Sequence, residues 1–179
     1  PLNFGIRWGQ QFDGARRTTL HDIIGYDASG TYAIRIRYGT PDLASFTLEK
    51  YDSKFMPVLS RDLEIKENRE LARIEHVLYI NKKLHIFYML RNRNTHKYEL
   101  FVREVNKETL IPEDLTVKLG EADERLLTSA VSFKVRTSRD SSKVVVSYEF
   151  PKGLSETKSY GFIVLDDNLR LIWRPKITI

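Results

Sequence analysis

The residues best suited to chemistry lie in one stretch, Arg91-Asn92-Arg93-Asn94-Thr95-His96-Lys97. It places three fixed cations and a titratable histidine within seven residues, with no acid among them. Such a loop suits an anionic partner: a phosphate, an anionic glycan or a nucleic-acid backbone. Arg91, Arg93, His96 and Lys97 are therefore candidate binding residues. A solvated hairpin loop is the plainer reading of the same stretch. The two tryptophans, Trp8 and Trp173, are the second candidates. A Trp at the rim of a sheet can stack on a sugar or meet a partner chain, or simply cover its own sheet edge.

The remaining chemistry is sparse. The histidines are His21, His76, His85 and His96, and no two have the i, i+2 or i, i+4 spacing of a metal site. Asp166-Asp167-Asn168 offers oxygen ligands for Ca²⁺, but reads better as a tight turn. With no cysteine, thiolate metal sites, disulfides and Cys nucleophiles are excluded. No nucleophile elbow, P-loop, Rossmann fingerprint or His-Glu-x-x-His occurs. No catalytic residue, metal or cofactor is assigned, and the expectation is a protein that is not an enzyme.

The elements that must position these residues are strands. Tyr32–Arg37 and Phe46–Tyr51 alternate apolar and polar residues. Leu84–Tyr88, Tyr98–Val102 and Lys143–Tyr148 are β-branched and aromatic runs between turn signals. His85 falls on the strand face opposite Leu84 and Ile86. Ser60–Ile74 and Leu119–Leu127 read as connections holding one helical turn. Most aromatic residues sit at alternating strand positions, as core residues do.

Turn residues recur with one period. Asp27, Asn81 and Asp140 are spaced by 54 and 59 residues, and Asp52, Asn106 and Asp166 by 54 and 60. Asp and Asn bond their own backbone two residues on and tolerate left-handed geometry, so they suit hairpin corners. Each period reads as a four-stranded antiparallel meander, the unit of a propeller blade. The expected fold is all-β and β-propeller-like: three four-stranded blades plus an orphan N-terminal strand, with a β-sandwich as the alternative. The boundaries are strand 4–12, then repeats at 18–66, 71–119 and 126–179, in a single repeat domain spanning 1–179. Three blades do not close a ring. The chain is then expected to belong to a larger protein, or to pair with a second copy into a ring of about six blades. The repeat alignment places the loops Asp42–Ser45, Arg91–Lys97 and Pro151–Glu156 on one side.

Trp8-Gly9 followed by Gly25-Tyr26-Asp27-Ala28-Ser29-Gly30-Thr31-Tyr32 resembles the β-propeller-type repeats of large, uncharacterised exported proteins of the Bacteroidetes. The resemblance implies export, to the periplasm or beyond, and no known enzymatic role. The same turn is also similar to the sialidase Asp-box. There, Gly follows Asp by two positions, whereas Gly30 follows Asp27 by three, so sialidase activity is not carried over.

The 179 residues carry 29 Lys and Arg against 24 Asp and Glu, a formal charge of +5, with 41% apolar residues. That permits a buried core and disfavours global disorder. No apolar run reaches the roughly 18–20 residues of a membrane span. The first functional expectation is a non-enzymatic interaction or scaffold module with a protein partner. The second is a carbohydrate-binding or carbohydrate-active module with a glycan partner. Nucleic-acid binding through basic loops is the weakest of the three.

Overall fold

The structure is a computed structural model that describes residues 17–37, 45–67, 70–123, 132–150 and 159–178. The described residues are all-β, with no helix. The expected strand 4–12, Trp8 and the loop Pro151–Glu156 lie outside the described residues, as does Asp42–Ser45 apart from Ser45. The chain divides into two compact units, Pro1–Leu63 and Glu64–Ile179.

The first unit holds one four-stranded antiparallel sheet, sheet 1, in sequence order: β1 (Thr18–Asp27), β2 (Gly30–Arg37), β3 (Ser45–Tyr51) and β4 (Pro57–Leu63). Its central strands bury Tyr32, Ala33, Ile34 and Leu48. At the β1–β2 corner the Asp27 carboxylate accepts from the Ser29 N–H at 2.8 Å. Gly30 follows at φ 144, a backbone conformation that side chains rarely adopt. Glycine is required there for a second reason: a Cβ at Gly30 would lie 2.5 Å from the Tyr51 carbonyl oxygen.

The second unit opens with a short hairpin, β5 (Lys66–Glu67) and β6 (Glu70–Leu71). Sheet 2 follows, with β7 (Arg73–Ile80), β8 (Lys83–Asn92), β9 (Lys97–Val105) and β10 (Pro112–Asp123) in sequence order. Sheet 3 has β11 (Lys134–Thr137), β12 (Lys143–Phe150), β13 (Ser159–Asp166) and β14 (Leu171–Trp173) in order, with β15 (Lys176–Thr178) also pairing β13. Among the described residues all pairings are antiparallel, and no sheet closes on itself.

Sheets 2 and 3 pack face to face. One face of sheet 2 contributes Leu78, Ile80, Phe87, Met89, Leu100 and Val102 to a core shared with Val135, Val144, Val146, Tyr148, Ile163 and Leu165 of sheet 3. At Gly120 the two sheets come so close that a Cβ would lie 2.7 Å from the Ile163 side chain. At one margin, the buried Glu75 carboxylate of β7 accepts from the Phe133 N–H at 3.1 Å, just ahead of β11. Burial pushes the Glu75 carboxyl above its ordinary range, against the pull of Arg73.

The second set of turns is built alike in all three sheets. Asp52, Asn106 and Asp166 each accept from a backbone N–H two residues on, at 2.8, 2.9 and 2.9 Å. Each is followed by a residue with positive φ, namely Phe55, Leu110 and Leu169. The carboxylate or amide of the first residue and the left-handed residue after it together reverse the chain.

Two expectations need correction. Ser60–Ile74 holds no helical turn in its described residues; it forms the end of β4, the β5–β6 hairpin and the start of β7. Leu119–Asp123 is strand as well. In both, pairing with a neighbouring strand overrides a mixed Leu, Glu and Arg pattern that would also suit a helix. The end of the third repeat forms two short strands, β14 and β15, with Arg174 and Pro175 between them.

Candidate functional site

The loop Arg91–Lys97 is the corner between β8 and β9, where Asn92 pairs Lys97. Asn92 organises it. Its side-chain oxygen accepts from the Asn94 and Thr95 N–H groups, each at 3.1 Å. His96 supplies the left-handed residue at φ 53. The corner lines a cleft of about 410 Å³, with Arg91, Asn92 and Arg93 on one side and Glu67 and Glu70 of the β5–β6 hairpin on the other.

Acids from elsewhere in the chain meet these cations. Arg93 is ion-paired with Glu70 at 2.7 Å. Lys97 pairs with Glu121. Lys118, the neighbour of both on β10, reaches Glu99 at 2.7 Å and Glu121 at 2.8 Å. Lys118 and then Lys97 hold the Glu121 carboxyl below its ordinary value. Glu121 and Glu99 raise Lys118 in return. These pairs are mostly half-exposed, so each contributes at most about 1 kcal/mol. Their effect is on recognition: an anion entering the cleft must compete with Glu70 for Arg93. A loop that is purely cationic in sequence is thus a mixed-charge surface in the fold.

Deeper in the same region, Glu67 accepts from the Tyr88 hydroxyl at 2.7 Å and pairs with Arg103 at 2.7 Å. The Arg103 guanidinium lies 5.6 Å from the centre of the Tyr88 ring, and Phe101 stacks on that ring at 5.6 Å. This is a fixed polar cover over one face of sheet 2.

Trp173 lies on β14, opposite Val164, with 63% of its surface exposed. The Arg91–Lys97 corner belongs to sheet 2, whereas β14 is an edge strand of sheet 3. The register places it in one row with Val164, Val145 and Arg136 across β13, β12 and β11. The next rows on this face hold Phe162, Ser147 and Lys134, then Glu149, Tyr160 and Ile177. Val145, Val164, Phe162 and Tyr160 are half-buried, while Trp173 and Ile177 are exposed. The rows of this outer face thus gather Trp173, Val164, Val145, Phe162, Tyr160 and Ile177, with Ser147 and Glu149 on β12 and the exposed cations Arg136 and Lys134 along the β11 margin.

His21 lies on the exposed strand β1, and His76 on β7. His85 is on β8 facing sheet 3, opposite Leu84 and Ile86 as alternation requires. Among the described residues no group of three or more His, Asp or Glu is placed to hold a metal ion. No helix of the described residues is long and apolar enough to cross a membrane. The acids that match the basic corner were missed by sequence reasoning. Cross-strand register, which pairs Glu99 with Leu90 and Glu121 with Glu99, is the signal that brings them there.

No protein-family model matches the chain, and no curated protein matches it. Among solved structures it is similar to a thermostable family-43 glycoside hydrolase, at 13% identity and a TM-score of 0.47. That likeness covers 84% of this chain and 50% of the other, so the chain spans about half the length of that structure.

Proposed function

We propose that this chain is a non-enzymatic, β-propeller-like interaction module, and that the outer face of sheet 3 receives a further sheet supplied by a second copy. The observation that carries the reading is the exposed apolar surface of the outer strands of sheet 3. Trp173 and Ile177, both in the outer-face rows, are 63 and 46% exposed. Large apolar groups gathered on one sheet mark a surface that gains by being covered. Aromatic anchors flanked by Arg are the composition that protein interfaces favour.

The propeller-like arrangement is supported by how sheets 2 and 3 sit within their unit. Their first strands, β7 and β11, touch at one side. On the other, the Arg174 guanidinium just after β14 donates to the Leu119 carbonyl of β10. Two meanders stacked first strand to first strand and last to last can be continued by a third on the free face, as in a ring of blades.

Sedimentation velocity over a range of concentrations tests this reading. The expected result is a concentration-dependent doubling of mass that Trp173→Lys abolishes without loss of folded structure. A monomer at the highest soluble concentration, or a dimer that Trp173→Lys leaves intact, overturns it.

A further inference from the structure

A second cleft, of about 490 Å³, opens on the other side of sheet 3, at the end of the core it shares with sheet 2. Its walls are aliphatic: Val102 of β9, Leu115 and Val117 of β10, and Leu169 of the β13–β14 turn. Leu115 and Val117 are 77 and 48% exposed, so this wall meets water. The end of the cleft is braced by the Asn81 side chain donating to that of Asn168 at 2.9 Å.

Among the described residues, two polar groups in the cleft have no hydrogen-bond or ion-pair partner within reach. His85 lines it, is 9% exposed, and makes no hydrogen bond through its ring among the described residues. A buried polar group left unpaired is costly and calls for an explanation. Burial lowers its pKa to about 4, so at neutral pH the ring is uncharged and one nitrogen offers a lone pair. The other group is Glu113, an exposed carboxylate lining the cleft with no ion partner among the described residues. The remaining acid there, Glu104, is already paired with Lys83 at 2.8 Å.

We infer that this cleft binds an aliphatic chain ending in a primary ammonium, with the chain against Leu115, Val117 and Leu169 and the ammonium between Glu113 and His85. An ammonium supplies donors only, which the neutral imidazole nitrogen and the carboxylate can both accept. The aliphatic stem covers the exposed wall, as lysine stems do on other apolar surfaces. An anion would face Glu113, and a sugar would find no Trp, Tyr or Phe ring among the lining residues. The same chemistry can come from a free alkylamine or from a lysine of a partner protein. The inference does not rest on the sheet 3 docking face and stands if that reading fails.

The test is a titration of the protein with n-hexylammonium, followed by NMR of the His85 ring and the Val102 and Val117 methyl groups. 1-Hexanol is the uncharged control, and a short lysine-containing peptide forms a parallel arm. Saturable shifts at these groups are expected, with hexanol at least about tenfold weaker and Glu113→Gln losing about tenfold. Glu113 is exposed, so that variant keeps the fold. Binding by the peptide places the ligand on a partner protein, and binding by hexylammonium alone marks a free amine; either supports the site. Equal binding of hexanol and hexylammonium, or no saturable shift, overturns it.

Discussion

Sheets 2 and 3 share one core, yet their central strands are buried in different ways. In β8 every residue from Leu84 to Met89 is buried, on both faces. One face meets sheet 3, and over the other Glu67 of the β5–β6 hairpin reaches to Tyr88 and Arg103. In β12, Val144, Val146 and Tyr148 are buried, while Val145 and Ser147 between them are only half-buried. A strand covered on both sides reads as an unbroken apolar run, and a half-covered strand alternates. Yet Val144-Val145-Val146 is itself unbroken. Its middle residue has the chemistry of a covered face without the cover. That mismatch is what makes the outer face of sheet 3 the docking surface in this account.

Matched truncations sharpen the contrast. Phe87, fully buried between the sheets, is expected to cost about 4 kcal/mol on replacement by Ala. Val164→Ala, on the outer face of sheet 3, is expected to cost about 1 kcal/mol or less in the monomer. Urea denaturation checks both. Similar losses at the two positions would mean that sheet 3 is covered on both sides.

The second contrast is electrostatic. Burial depresses the His85 pKa from 6.5 to about 4, the nearby Glu104 opposing and Lys83 adding to the shift. Between these values the unfolded chain binds more protons than the native one. The stabilisation is therefore complete above pH 6.5 and is lost as pH falls towards about 4, by about 3 kcal/mol in all. Carboxylates add their own slope in this range, so the comparison is with His85→Gln, which should have a shallower decline over that window. Parallel stability–pH curves for the two proteins would place His85 in water.

Local chemistry was the legible part of this fold. Asp27, Asp52, Asn106, Asp140 and Asp166 mark corners because an Asx side chain bonds backbone two residues away, within the reach of sequence. The facing of His85 followed from strand alternation. Its burial did not, because that depends on sheet 3, more than fifty residues downstream by the period of the turns. The Arg91–Lys97 corner was legible as a loop and as a set of cations. Its neutralisation was not, since Glu70 comes from a hairpin before β7 and Glu121 from β10, and only register brings them in. The helical turn expected in Ser60–Ile74 is not formed: its Leu, Glu and Arg residues suit a helix locally, but its strand partners are set by tertiary pairing.

Backbone hydrogen exchange at low and high protein concentration tests the central claim most directly, since it reads sheets 2 and 3 in one sample. Amides of β13 to β15, residues 159–178, are expected to gain protection as concentration rises, while those of β8 and β9 stay as they were. Protection that is independent of concentration in sheet 3, or that rises equally in both sheets, would contradict it.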